Sequence, residues 1–376
     1  MNKYFFHGPI LTLLLLFSAD CAFMQKPVTA AGDKWEPQRT WVFFVGLLEW
    51  KDSESFTSFP QKNRRDEMLL NELRKSGVPE TQIVYLKDKN GTTANIQSEF
   101  VKILGKAKPG DTVFVYYCGH GYKDDDAKTY MASYDVSEKT LGWAVDSVPE
   151  TIEKYFKGSQ AIIAMDNCYS GAMAAAVKSK PRRVSYAVMT SSLASQESTG
   201  NWTFTEALIS AFRGDPFIDD DHDGKVTFAE LESNAEDDML FGEEQMATFA
   251  FTGNFSPDTR IADSIAGSSP RIGERVEAYS IDGWYKGYIT DAKADKFKVH
   301  YYGYEYDEDE WVTAKMIRSP KTVQYAVGQK VEVEWKKKWY PATVLQVKGG
   351  THYITYTDYG SEWDEWVPSS RIRKVK

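Results

Sequence analysis

Cysteine is scarce: the 376 residues hold three, Cys21, Cys118 and Cys168. Cys21 falls in or beside an apolar N-terminal stretch. The two that remain are too few for a disulfide framework. Long apolar runs are lacking as well. The N-terminal run Pro9 to Phe17 (PILTLLLLF) has nine residues, well short of the ~20 that a membrane-spanning helix needs. An excess of positive charge is also missing. Lys and Arg number 45 against 54 Asp and Glu, a net charge of −9, which argues against a dedicated nucleic-acid binder because phosphate contacts need a positive surface. The chain is nevertheless not polar enough to be disordered: 42% of its residues are hydrophobic, enough for globular packing.

What is present begins with an export pattern. Lys3 precedes the short apolar run, and Val28-Thr29-Ala30 offers small residues for a signal peptidase, so residues 1–30 read as a signal peptide. The expectation is an exported protein, periplasmic or extracellular, with no membrane span once the signal is removed. Lipidation at Cys21 is the alternative, against which Asp20 speaks. An unpaired Cys168 in an exported chain calls for a reason.

From residue 38 to 262 the chain alternates strands and helices. Continuous apolar runs at 41–48 (WVFFVGLL), 83–86, 112–118 (TVFVYYC), 161–165 (AIIAM) and 187–190 read as buried strands. Helical spacing occupies 64–76, 96–107 and 148–156. The fold class is therefore α/β, a mostly parallel sheet flanked by helices. Chemistry in such sheets sits beyond the carboxyl ends of the strands. His120 follows one strand and Cys168 follows another.

Each residue also has a plain structural reading. His120 lies in YYCGHGY, where flanking glycines allow a substrate close approach to the backbone; alone it would be a turn histidine. Cys168 lies in MDNCYSGAM, a turn before an Ala-rich helix that favours a thiolate; alone it would be an inert buried thiol, as Cys118 is expected to be.

Together the strings Gly119-His120-Gly121 and Asp166-Asn167-Cys168-Tyr169-Ser170-Gly171 resemble the caspase-like superfamily, and its metacaspase-type members in particular. The segments Tyr130–Asp135, 188–198 (VMTSSLASQES) and 204–212 (FTEALISAF) extend the likeness over about 40–260. The resemblance implies a cysteine endopeptidase acting on proteins or peptides. Cys168 would be the nucleophile and His120 the acid–base, with the backbone amides of Gly121 and Cys168 holding the oxyanion; a third catalytic residue is not required. It also implies that Asp166 lines a pocket for substrate Arg or Lys, unless it only braces the loop. The basic residues Lys178, Lys180, Arg182 and Arg183 occupy a place where such proteins often cut themselves, or form a solvated loop. Three rival readings are a silent scaffold that binds through the barrels, an acyl transfer to an amine, and an intracellular signalling caspase, against which the apolar N-terminus speaks.

The string DDDHDGKVTFAE at 219–230 fits an EF-hand loop. Asp219, Asp221, Asp223, the Lys225 carbonyl and Glu230 would hold a calcium ion; otherwise the loop is an acidic surface.

Residues 263–270 form a polar linker, and beyond it the chain repeats itself. Residues 271–319 and 323–376 are two copies of about fifty residues with short alternating strands, enough for two five-stranded barrels. They resemble Tudor-like or chromo-barrel-like SH3-type barrels. That resemblance implies cages for a ligand, made of Trp335, Tyr340, Tyr356 and Tyr359 in the second copy and Tyr279, Tyr285, Tyr301 and Tyr304 in the first. The alternative is that these rings fill small barrels or bind a glycan or a peptide. Trp311 and Trp366 are expected in the cores.

Overall fold

The apolar run at 41–48 becomes strand β1 (Thr40–Gly46) in the centre of a six-stranded sheet. Val42 and Phe44 point to one face and Phe43 and Val45 to the other, and all four are fully buried. A strand covered on both faces must be apolar at every position. The others are β2 (Ile83–Lys87), β3 (Thr112–Cys118), β4 (Gln160–Asp166), β5 (Ser185–Thr190) and β6 (Thr248–Phe251). Their order is β6-β5-β4-β3-β1-β2, parallel except for β6 at the edge. On the Phe43 face pack α2 (Thr93–Leu104), α3 (Ser147–Tyr155) and α4 (Ala172–Lys178). On the other lie α1 (Arg65–Lys75), α5 (Thr203–Arg213) and α6 (Phe228–Gly242).

This computed structural model describes residues 33–375 apart from 266–270, 321, 322 and 349. The expected signal segment 1–30, Cys21 and most of the 263–270 linker lie outside the described residues. Among the described residues no helix is long and apolar enough to cross a membrane.

Two five-stranded antiparallel sheets follow, with the same strand order, as the two expected barrels require. The first uses Arg275–Ser280, Gly283–Lys293, Lys296–Tyr301, Glu310–Thr313 and Ile317–Arg318; the second uses Lys330–Trp335, Lys338–Lys348, Thr351–Tyr356, Glu365–Pro368 and Ile372–Lys374. Each long second strand shifts register once, after Ile289 and after Val344. Trp311, expected inside, stands on the surface at 38% exposure, with Lys293 4.9 Å from its ring centroid. Trp366 is half-buried against Tyr353.

The first barrel docks on the α/β domain through buried charge. Arg65 at the start of α1 donates to Glu206 of α5 at 2.7 Å, and its guanidinium lies 4.0 Å from the centroid of the Tyr306 ring. The His300 ring is wholly buried, with Nδ1 2.7 Å from Asp309 and Nε2 3.4 Å from Glu206. The longer distance leaves Nε2 without a good hydrogen bond but close enough to feel the carboxylate charge. On α6, Asp238 accepts from Tyr302 at 2.6 Å and from Arg275 at 2.9 Å. Removing one partner would strand a buried charge, which costs about 3–5 kcal/mol.

Burial of the His300 ring opposes its charge, but Asp309 and Glu206 outweigh it and push the pKa up to about 9. A raised histidine pKa stabilises the fold fully below the unfolded value of about 6.5 and loses that contribution as pH rises through the folded value. Thermal melts should therefore show the wild type losing stability between pH 6.5 and about 9. A His300→Gln variant, less stable at neutral pH, should lack that fall. Parallel pH profiles for the two proteins would refute the assignment.

Candidate active site

β3 and β4 pair in register, with Cys118 opposite Asp166. His120 and Cys168 each stand two residues beyond that last pair, so the two turns leave the sheet side by side. Both line one cleft of about 560 Å³ at the carboxyl ends of the strands.

The His120 turn is held from below by Tyr117, whose hydroxyl donates to the His120 and Ala132 carbonyls at 2.8 and 2.9 Å. Two glycines are required here. At Gly119, with φ +144°, a Cβ would press on the Leu47 carbonyl and the Tyr117 hydroxyl, and at Gly121 it would collide with the Cys168 carbonyl. The imidazole sits among Trp50, Phe56 and Phe59, with ring centroids 4.5, 5.7 and 4.7 Å away. Its Nε2 lies 2.8 Å from the Thr57 carbonyl oxygen. A carbonyl only accepts, so Nε2 carries a proton, and in the neutral ring Nδ1 is the nitrogen with the lone pair. Thr57 thus orients the histidine as a third member of the site. Residues 50–59 have no periodicity that would have revealed this.

The Cys168 turn is locked by serines. Ser170 and Ser192 exchange backbone-to-hydroxyl bonds at 3.1 Å in both directions, and the Ser192 hydroxyl also donates to the Asn167 carbonyl. Tyr169, at φ +60°, donates its N–H to the Gln196 carbonyl at 2.8 Å. Cys168 is half-buried, and its sulfur accepts from the Ser198 N–H at 3.2 Å. Burial pushes its pKa up, Glu197 adds to this, and the amides of Ser198, Gly121 and Cys168 itself pull the other way. The Gly121 and Cys168 backbones line the same cleft. α4 begins only at Ala172, so the thiol sits in the turn and not on the helix end. Cys118 is buried beneath α1 and α5, and burial raises its pKa well above the ordinary value.

Asp166 lines the same cleft. Thr205 of α5 donates to it at 2.6 Å. Burial raises its pKa to about 6, against the Thr205 and Ser191 hydroxyls, and the like charge of Glu243 adds to the rise. A carboxyl so placed would gain from a cationic side chain. Glu206, Arg65, Trp202, Tyr304 and Glu305 also line the cleft.

In the 219–230 loop Asp219, Asp221 and Asp223 are gathered, with one oxygen of each within 4.8 Å of the others. Asp219 Oδ1 is buried without a hydrogen-bond partner, a defect that a hard cation would repair. Gly224 takes φ +84° at the sixth position. Glu230 is not gathered with the aspartates. Its carboxylate accepts from the Asp220 and Thr227 N–H groups at 3.0 and 2.9 Å and caps α6. The Lys225 backbone lies in a two-stranded ladder with Arg260–Asp263, and its ammonium pairs with Asp223 at 2.6 Å.

In the second barrel Trp335, Tyr340, Tyr356 and Tyr359 do converge, and a fifth ring, Trp363, closes the group. Neighbouring centroids are 6.1–6.3 Å apart and the rings are close to perpendicular. Trp363 lies on a single 3-10 turn (Ser361–Trp363), which strand periodicity does not predict. In the first barrel Tyr285, Tyr301 and Tyr304 converge at 5.8–6.2 Å, but Tyr279 does not join them and packs on Trp284. Strand pairing gives the reason. Tyr285 faces Ala278 as Tyr340 faces Val333, so Ser280 stands where the second barrel has Trp335 and Tyr279 points to the opposite face.

Residues 64–176 match the family described as metacaspase, peptidase C14 domain. Residues 273–322 match the Agenet domain, and 325–374 the Tudor-knot, described as an RNA binding activity-knot of a chromodomain. No curated protein matches the chain. Among solved structures, protein GSU0716 from Geobacter sulfurreducens is 13% identical, with 60% of this chain and all of that one covered at a TM-score of 0.41. Tbtudor is 27% identical over 14% of this chain and all of its own, and Arabidopsis thaliana AGDP1 AGD34 is 24% identical over 28% and 81%; both have TM-scores of 0.14. Scores this low carry no argument.

The burial of the two described thiols sets their reactivity. Iodoacetamide on the folded protein should modify Cys168 and spare Cys118, as read by peptide mass spectrometry. Its rate should still climb at pH 9, because the Cys168 pKa lies above that ordinary value. A plateau below pH 8 would contradict this.

Proposed function

We propose that this chain, which carries a metacaspase-type peptidase C14 domain followed by Agenet and Tudor-knot domains, is a cysteine endopeptidase cutting after Arg or Lys. One observation carries the reading. His120, held through Nε2 by the Thr57 carbonyl, and the half-buried Cys168 stand on neighbouring turns of one cleft, which the backbones of Gly121 and Cys168 also line.

The Cys168 thiol is neutral at rest. As its sulfur attacks the scissile carbonyl carbon its proton leaves, and His120 is the base that takes it. The carbonyl oxygen gains charge between the Gly121 and Cys168 amides. The C–N bond then breaks, His120 returns the proton to the departing amine, and an acyl thioester remains. Water, deprotonated by the same imidazole, frees the acid and restores the thiol. Asp166 receives the basic side chain before the cut. The 178–183 segment suits self-processing only in part. Arg182 is tied to Glu150 with its side chain 4% exposed, whereas Lys178 and Lys180 are accessible.

Fluorogenic peptides ending in Arg, Lys or Asp test this directly. Arg and Lys peptides should be cut by wild type and not by Cys168→Ala, and fragmentation at 178–183 should follow the same rule. Protonation of Asp166 should lower kcat/KM as pH falls through about 6. Asp166→Asn should remove that limb along with on the order of a hundredfold of the activity on basic peptides. Preference for the Asp peptide would sink the proposed specificity.

Calcium is the ion proposed for the 219–230 loop, held by Asp219, Asp221 and Asp223. When bound it supplies positive charge to three crowded carboxylates. The loop continues from α5, which carries Thr205 and Glu206, so bracing it braces the cleft floor. At calcium a hundredfold above its Kd the melting free energy should rise by about 2.7 kcal/mol. Asp219→Asn should abolish the shift. Equal melting temperatures in calcium and in chelator would exclude the site.

A second reading rests on the five-ring cage of the second barrel: a binding protein whose barrel holds a cationic side chain of a peptide. It is compatible with the first, and becomes the whole function if Cys168 proves silent.

A further inference from the structure

The cleft around Cys168 is not made by the α/β domain alone. Gly303, Tyr304 and Glu305, in the loop after the third strand of the first barrel, line it too. The loop is fixed at both ends. On one side Glu305 Oε2 accepts from Asn63 at 2.9 Å and from Arg65 at 3.3 Å. On the other, Gly303, at φ +80°, backs onto Asn201 so closely that a Cβ would lie 2.9 Å from its Nδ2. Asn201 and Arg65 are themselves cleft residues.

Comparison of the repeats indicates that this placement is built. Strand pairing sets Tyr301 against Gly287 as it sets Tyr356 against Ala342, which aligns Tyr304 with Tyr359. At the docking positions the copies part. The first has His300, Tyr302, Glu305 and Tyr306, where the second has Thr355, Thr357, Gly360 and Ser361. The shared residues make the aromatic face, and the divergent ones bind the α/β domain and bring an acid to the cleft.

The chemistry of that wall is defined. The bonds from Asn63 and Arg65 go to Oε2, and the side chain keeps 29% exposure. Tyr304 beside it is 43% exposed. An aromatic face next to a carboxylate suits a guanidinium or an ammonium. Among the described residues the cleft carries Asp166, Glu197, Glu206 and Glu305 against Arg65 as its one Lys or Arg; Glu206 is engaged by Arg65 and His300, and Glu305 meets Arg65 through Oε2.

We propose that the first barrel is a structural part of the substrate site, in which Tyr304 and Glu305 bind a second basic side chain of the same peptide, distinct from the one taken by Asp166. This rests on the peptidase reading for its use in catalysis, but the binding does not depend on turnover. Two measurements keep the two apart. In the first, a positional-scanning library with Arg fixed before the cut is read with wild type, Glu305→Gln and Tyr304→Ala. Wild type should prefer a second basic residue at one position, and Glu305→Gln should lower the ratio of kcat/KM for basic over neutral residues there by about tenfold. In the second, calorimetry follows a dibasic peptide binding to the non-hydrolysing Cys168→Ala protein. Adding Glu305→Gln should weaken the Kd by about tenfold, with no such loss for a peptide carrying one basic residue. Gln keeps an acceptor for Asn63 and Arg65, Glu206 still pairs the Arg65 charge, and unchanged binding of the peptide with one basic residue reports an intact fold. Unchanged dibasic affinity in the double variant would overturn the proposal, whether or not wild type cleaves. Cleavage by wild type with identical scans for all three proteins would do the same and leave the peptidase reading intact.

Discussion

The register between β3 and β4 is the constraint on which the rest of the site depends. Cys118 faces Asp166, and the chain leaves both strands at the same level. Two residues later it has placed an imidazole and a thiol on neighbouring turns. A slip of one residue would reverse the side chains of a whole strand and exchange its two apolar faces. The register is therefore held by both cores at once, with Phe114 and Tyr116 on one face and Val113, Val115 and Tyr117 on the other. Stability and chemistry share the same cause: Tyr117 fills the core and its hydroxyl also supports the His120 carbonyl.

Above the sheet, the site is organised by carboxylates and the partners they do or do not have. Glu206 is fully engaged, by Arg65 and by His300, and its pKa stays low despite burial because those cations outweigh desolvation. Asp166 has hydroxyls instead, so burial prevails and its pKa rises. The two acids line one cleft but differ in what they can offer a substrate. The first acid ties the barrel to the α/β domain, while the second, held by hydroxyls, is the one proposed to take a substrate cation. Asp219 repeats the second case in miniature, with one buried oxygen lacking a partner. Unmet carboxylate charge thus marks the proposed substrate and calcium sites.

The sequence made the sheet legible because its strands are covered on both faces, and a wholly apolar run bounded by turns has little else to become. β1, β3 and β4 lie within two residues of the predicted runs. His120 and Cys168 were legible because each follows such a run. β6 was missed: TFAF is short and pairs antiparallel at the edge, with only Ala250 of its four residues fully buried. The Thr57 carbonyl was beyond reach for a different reason. A backbone oxygen carries no residue identity, so no pattern encodes its role. Trp363 and the role of Glu305 depend on 3-10 turns and on one domain lying against another, which neither helical nor strand periodicity records. Tyr279 was misplaced by counting aromatics instead of following the strand alternation that turns it away.

The two barrels show how one repeat can take on two tasks. The second keeps the complete group of five rings, including Trp335 and Trp363. In the first, Ser280 and Glu308 stand at those two positions, so three tyrosines remain of the five. A cage lacking two walls holds a cation less well, since each ring contributes separately to the attraction. The same copy has gained the residues that fasten it beside Cys168. Tyr304 belongs to both arrangements, as a remaining cage ring and as a wall of the cleft. A cation-seeking aromatic face set against an acidic cleft needs no new chemistry to serve as a subsite, only the docking that His300, Tyr302 and Glu305 provide. The second barrel touches the other flank of the site, where Gln196 donates to the Trp366 carbonyl at 3.1 Å and its own carbonyl holds the Tyr169 amide. Both repeats therefore bear on the turns that position the thiol, one as a wall of the cleft and one through the loop behind it.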